Sequence, residues 1–248
     1  MCNRRSLSQV SVVIPTRNEA QQVAAVLQAL PPEVELVVVD ASDDGTDRLV
    51  EALRPRRTQV IRSAAGIAAA RQIGAQAATG EWLLFSDADV RFEEGFFARL
   101  PSRLDGDAFY GLKRATARYP RYGPWFNAAQ RLLHALGVPA ASGSNMAVRR
   151  TVFESVGGFR QDLPVNEDTE LMMRIARRGY RVGCCPELVV RSLDDRRLDR
   201  GLVLKSLHSL GRGLLLWFDL RCGLPAAWLR HDWGYWRPAP PPRARGLG

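Results

Sequence analysis

Over its first ninety residues the chain alternates between two hydrophobic periods. Val10 to Ile14 is a β-branched run closed by Pro15, the pattern of a buried strand. Val23, Val26, Leu27 and Leu30 then recur at helical spacing until the Pro31-Pro32 pair stops the helix. Leu36 to Val39 reads as a second buried strand ending at Asp40. A polar turn from Ala41 to Thr46 follows, and a helix over 47–53 takes Thr46 or Asp47 as its cap. Thr58 to Ile61 is a weaker third strand, and the alanine-rich stretch from Gly66 to Ala78 is a helix closed by Gly80. Trp82 to Phe85 is a short continuous apolar run, as in a strand buried on both faces. Strands alternating with helices in this way predict an α/β fold with a Rossmann-like, mostly parallel, right-handed central sheet flanked by helices.

Ligands of such sheets gather at the carboxyl ends of the strands. Three strand ends here are acidic: Pro15-Thr16-Arg17-Asn18-Glu19, Asp40 to Thr46, and Asp87-Ala88-Asp89. Side chains two apart in an extended segment point the same way. Asp87 and Asp89 would therefore present two carboxylates to one hard divalent cation, Mg²⁺ or Mn²⁺, which would grip a diphosphate. The plain alternative is a solvated Asp-x-Asp turn. An acidic rim repels a diphosphate unless a cation or basic groups intervene, or else it contacts sugar and base hydroxyls. No Gly-x-Gly-x-x-Gly follows the first strand and no Gly-x-x-x-x-Gly-Lys-Ser/Thr occurs, which argues against dinucleotide and P-loop binding.

The 248 residues suit one domain with a short appendage. A net charge of +9 suggests anionic partners, whether nucleotide phosphates, acidic lipid or nucleic acid, but no motif supports nucleic acid. Cys2, Cys184, Cys185 and Cys222 form neither a disulfide framework nor a paired zinc site, so a reducing cytosol is expected. Met1 to Gln9 lacks the apolar stretch of a signal peptide, and no run of about 18 apolar residues predicts a spanning helix.

Motifs in a fixed order make the pattern specific. The opening from Ser11 to Glu19, Val37-Val38-Val39-Asp40 with Ser42-Asp43-Asp44-Gly45-Thr46, and Asp87-Ala88-Asp89 come first. Ser142-Gly143-Ser144-Asn145-Met146 with Val156-Gly157-Gly158-Phe159, then Asn166-Glu167-Asp168-Thr169-Glu170-Leu171 with Arg174, complete the set. Across residues 10 to 190 the chain resembles glycosyltransferase family 2, whose fold is GT-A. The resemblance implies transfer of a sugar from a nucleotide-diphospho-sugar, UDP- or GDP-linked, to a hydroxyl acceptor with inversion. Pro15, Thr16, Glu19 and Asp40 are then expected near the nucleoside, Asp87 at the ribose and diphosphate, and Asp89 at the metal. Gly143, Ser144, Asn145 and Glu167 are expected on the acceptor side, with Gly157 and Gly158 shaping a turn. Arg71 has two readings, a diphosphate contact or a solvated helix position.

Sugar transfer also needs a base for the acceptor hydroxyl. Asp168 is the candidate, at the start of a helix whose Leu171, Met172, Ile175 and Ala176 form an apolar stripe and whose N-terminus favours an anion. The competing role is a cap, by Asp168 or Asn166. Departures from the family pattern are Ala41, where a second acidic residue is often found, Arg191-Ser192 in place of a metal-binding histidine, and no Gln-x-x-Arg-Trp, which argues against a processive synthase.

The expected layout is a catalytic domain over 1–195, with a nucleotide-sugar half near 10–90 and an acceptor half over 91–195. A basic amphipathic segment follows over 196–236, then a disordered tail over 237–248. Leucines, Trp217, Phe218, Arg212 and Arg221 in that segment fit either an anionic membrane surface beside a lipid-linked acceptor or a helix packed on the domain. A cytoplasmic enzyme of cell-envelope polysaccharide assembly, peripheral at the inner face of the membrane, follows from the first option. The rivals are a sugar-phosphate nucleotidyltransferase, which would need a glycine-rich basic loop after the first strand, and an inactive GT-A-like binding protein, which need not keep both Asp89 and Asp168.

Overall fold

A computed structural model describes residues 6–116, 122–193 and 202–223. The expected tail over 237–248 and the segment beyond 223 lie outside the described residues. The strands are β1 (Val10–Thr16), β2 (Glu35–Asp40), β3 (Thr58–Arg62), β4 (Trp82–Phe85), β5 (Val90–Phe92), β6 (Ala108–Arg114), β7 (Met146–Arg149) and β8 (Val182–Ser192). The main helices are α1 (Val23–Ala29), α2 (Thr46–Leu53), α3 (Ile67–Ala77), α4 (Phe96–Arg99), α5 (Tyr122–Ala135), α6 (Arg150–Ser155), α7 (Glu167–Arg177) and α8 (Leu202–Cys222).

All eight strands join one sheet in the order β3-β2-β1-β4-β7-β6-β8-β5. The block β3-β2-β1-β4 is parallel, as the alternating pattern predicts. Beyond it β7 runs antiparallel to both β4 and β6, so the second half is mixed. Val12 and Ile14 pack into one apolar cluster with Val23 and Val26 of α1, while Val13 packs into another with Ala75 of α3 and Leu171 of α7. Helices on both faces explain why β1, β2 and β4 read as unbroken apolar runs.

Two local expectations are corrected. The cap of α2 is neither Thr46 nor Asp47: Gly45 turns at φ 84° and the Asp44 carboxylate accepts the Thr46 N–H at 3.1 Å. Asp87 and Asp89 do not share an extended segment either, because β4 ends at Phe85 and the chain turns through Ala88-Asp89. It then forms β5, which pairs Val90 with Ser192 at the far edge of the sheet. No hydrophobic pattern marks β5, since its partner lies about a hundred residues on.

The direction change beside β4 positions the site. Phe85 is in register with Met146, so the segment entering β7, Gly143-Ser144-Asn145, meets the carboxyl end of β4. In the described part of α8, Leu216 packs with Leu163 and with Met173 of α7, and Arg160 pairs with Asp219 at 2.8 Å. The inner face of α8 therefore belongs to the domain, while Phe218 is exposed. No helix among the described residues is long and apolar enough to cross a membrane.

Candidate active site

The first two acidic loops are stitched together by side chains bonding to backbone. Asn18, held at φ 57°, donates its N–H to Ser42 Oγ at 2.8 Å, and its Oδ1 accepts the Asp43 N–H at 3.0 Å. The Glu19 N–H reaches Thr46 Oγ1 at 3.1 Å. Asp40, 1% exposed, is the hub. Its Oδ1 accepts the hydroxyls of Thr16 (2.6 Å) and Ser42 (2.5 Å), and its Oδ2 accepts the Ser42 N–H (3.3 Å) and Arg62 Nη1. Burial pushes the Asp40 carboxyl up, but bonds from Ser42, Thr16 and Arg62 outweigh it and hold it below its ordinary value. Pro15, half-buried, stands at the β1 end beside Thr16.

The second cluster is built on Arg71. The guanidinium is buried on α3, so Arg71 is not a solvated helix position. Nη2 pairs with Asp87 at 2.7 Å and Nη1 with Glu167, joining the end of β4 to the start of α7. Burial opposes the charge of Arg71, while Asp87, Glu167 and Asp168 hold its pKa high. Burial pushes the Glu167 carboxyl up, aided by Asp168 and Asp87 against the pull of Arg71. Such a buried pair is kept by geometry and by further hydrogen bonds rather than by charge attraction alone.

Asn166 sits at the N-cap of α7 with φ 62° and no side-chain cap bond, whereas Asp168 satisfies one first-turn N–H and also reaches outside the helix. Asp168 Oδ2 accepts the Gly143 N–H at 2.6 Å and Oδ1 the Thr169 N–H at 2.6 Å. Thr169 Oγ1 donates to the Ala141 carbonyl at 3.1 Å, locking the helix start to the segment before β7. A methyl at Gly143 would collide with the Arg71 guanidinium, so glycine is required there by space. Ser144 and Asn145 are 0% and 1% exposed and stand behind this surface. Asn145 Nδ2 bonds the carbonyls of Leu112 (3.0 Å) and Leu188 (2.9 Å), bracing the irregularity between Gly111 and Leu112. Gly157 and Gly158 turn at φ 86° and 68°, as expected of a turn, and Arg174 Nη2 donates to the Gly158 carbonyl at 2.6 Å.

Asp89 Oδ1 is buried and accepts no hydrogen bond. A buried carboxylate oxygen without a donor is costly, and a hard cation suits it. Two residues before it, Asp87 faces the Arg71 guanidinium together with Glu167 and Asp168. Among the described residues no group of three or more His, Cys, Asp or Glu could enclose an ion. The protein would then supply one or two carboxylates, leaving the other positions to water and phosphate, as is common for Mg²⁺. The Leu193 N–H donates to the Asp89 carbonyl at 2.8 Å, so the segment after Arg191-Ser192 does lie against Asp89.

Two residues that the sequence reading assigned no role stand in the candidate site. Glu170 (0% exposed) braces Arg174 through both oxygens at 2.8 and 2.9 Å. Arg62, in register with Asp40, pairs with Asp40 and, at 3.2 Å, with Asp47. A signal for Arg62 existed, since the last residue of a third parallel strand must share the rim of the first two.

Comparisons with known proteins bear on the family and the fold. Residues 11–157 match glycosyl transferase family 2, and residues 125–233 match glycosyl transferase family group 2. The succinoglycan biosynthesis protein ExoA of Rhizobium meliloti (strain 1021) is 26% identical over 197 residues, covering 69% of this chain and 59% of that protein. The chain thus spans less than two thirds of that relative's length. The uncharacterized glycosyltransferase Rv0539 of Mycobacterium tuberculosis (strain ATCC 25618 / H37Rv) is 29% identical over 184 residues, covering 70% of this chain and 81% of that one. Among solved structures, the mannosyltransferase PcManGT from Pyrobaculum calidifontis, in complex with GDP-Man and Mn²⁺, superposes with a TM-score of 0.65 at 23% identity, covering 90% and 72% of the two chains. S. aureus TarS 1–349 in complex with UDP-GlcNAc gives a TM-score of 0.63 at 19% identity, covering 88% and 68%.

Proposed function

We infer that this chain, which belongs to glycosyl transferase family 2 and has the GT-A fold, transfers a sugar from a nucleotide-diphospho-sugar to an acceptor hydroxyl with inversion, assisted by a divalent cation. One observation carries the reading: Arg71 ties Asp87 at the end of β4 to Glu167 at the start of α7, setting the donor rim and Asp168 on one surface.

Thr16 and the loop from Asn18 to Glu19, organised by Asp40 behind them, hold the nucleoside end, and Asp87 faces the ribose and diphosphate. Asp89 holds the cation, which when bound supplies positive charge to the leaving diphosphate. Asp168 takes the proton of the acceptor hydroxyl. Each of its oxygens already receives one backbone N–H, which fixes its orientation and leaves lone pairs for the acceptor. Attack from the face opposite the diphosphate inverts the anomeric carbon. The absence of a Gln-x-x-Arg-Trp motif supports single transfers over processive synthesis. The basic charge and exposed Phe218 support a peripheral position at an anionic membrane, where a lipid-linked acceptor of envelope polysaccharide would be met.

The test is thermal unfolding with UDP, GDP, dTDP and CMP, each with and without Mn²⁺. A nucleotide at 100 times its Kd adds about 2.7 kcal/mol. A metal-dependent rise that disappears in Asp89→Ala is expected, and Asp168→Asn should keep that rise while slowing donor turnover roughly 10²- to 10⁴-fold. A chain stabilised by no nucleotide would not be a transferase.

A further inference from the structure

We propose that Arg62 reads the nucleobase of the donor and selects guanine over uracil. This rests on the transferase activity inferred above and specifies its donor.

An ionised carboxylate has about four lone-pair sites. Asp40 has four donors on its two oxygens: the Thr16 and Ser42 hydroxyls on Oδ1, the Ser42 N–H and Arg62 Nη1 on Oδ2. Its side chain is itself fully buried. Uracil presents an acceptor, a donor and an acceptor along its imide edge. The carboxylate best placed to take its N3–H is thus already saturated. What this part of the rim offers instead is the guanidinium of Arg62, whose side chain is 57% exposed.

That guanidinium is also oriented. Both of its ion pairs, to Asp40 and to Asp47 on α2, go through Nη1. Nε and Nη2 form the parallel fork on the opposite side of the group, and among the described residues neither makes an ion pair or hydrogen bond to a side chain. A fork of two N–H donors matches the O6 and N7 acceptors of guanine, the most frequent specific contact of arginine with a base. Two carboxylates behind the group hold it extended from the end of β3, which lowers the entropy lost when a base docks. An ordinary exposed ion pair would contribute little to stability and nothing to base choice.

Calorimetric titration of the full chain with GDP, UDP and 7-deaza-GDP, each with Mn²⁺, tests the assignment. GDP should bind roughly tenfold or more tighter than UDP, and 7-deaza-GDP, which lacks the N7 acceptor, should lose much of that advantage. Arg62→Ala should weaken GDP about tenfold or more and leave UDP unchanged or tighter, since Asp40 regains a free acceptor. Arg62→Lys keeps the charge but not the fork, so it should lose the preference while the chain stays folded. Equal weakening of GDP and UDP in Arg62→Ala, or wild-type preference for UDP, overturns the role of Arg62 and leaves the transferase activity standing. Binding of no nucleoside diphosphate overturns the transferase activity and the role together.

Discussion

Gly143 lies outside the left-handed backbone region, yet the Arg71 guanidinium occupies the space of a side chain there. Gly143→Ala should therefore cost about 1–3 kcal/mol by overpacking, and should lower turnover because its N–H holds Asp168. Urea unfolding beside Gly66→Ala, where a methyl meets nothing within 4 Å, separates crowding from a general effect of alanine. Asp40 gives a pH signature. Its folded pKa lies below the ordinary 3.8, so the unfolded chain binds the extra proton in that window. Its contribution is present above about pH 4 and is lost as pH falls through the folded value. Melting temperatures below pH 4 should fall less steeply in Asp40→Asn. The residue types of the site were legible because they recur in family order, but their contacts were not. Nothing in a helical alanine-rich stretch says that Arg71 points inward, and a strand-end Asp40 does not announce four donors.

At the scale of elements, α3 lies so close to β1 that a methyl at Gly74 would strike Val13 Cγ1. Alanine in a helix interior gains up to about 1 kcal/mol over glycine, whereas overpacking costs about 1–3 kcal/mol. Gly74→Ala should thus be net destabilising, and thermal melts reporting a gain would show that α3 can move off the sheet. Periodicity exposed β1 to β4 and the helices between them, since strands buried on two faces and helices buried on one leave different repeats. It was silent on β5, which has three residues and pairs across the chain with β8. The choice between a packed and a membrane-facing α8 also needed the fold: Leu216 had to find Leu163 and Met173.

The whole molecule carries +9 around a site rich in carboxylates. The positive exterior is the part available to an anionic membrane, and at low salt the chain should co-sediment with phosphatidylserine vesicles. Raising the ionic strength several-fold should release it, because the attraction is screened within about 10 Å at 0.1 M. Failure to bind at low salt would remove the peripheral location. Parallel topology in the first half was readable from alternation, but the mixed second half was not, because its pairings join segments far apart in the chain. The same asymmetry bears on how the protein comes to exist. Bonds that stitch the Asn18 and Asp40 loops span 24 to 27 residues, whereas the link from Arg71 to Glu167 spans 96. Short loops close before long ones reward the chain. A polypeptide emerging from the ribosome can thus stitch the loops proposed to hold the base while Asp168, the proposed base of the transfer, is still unmade.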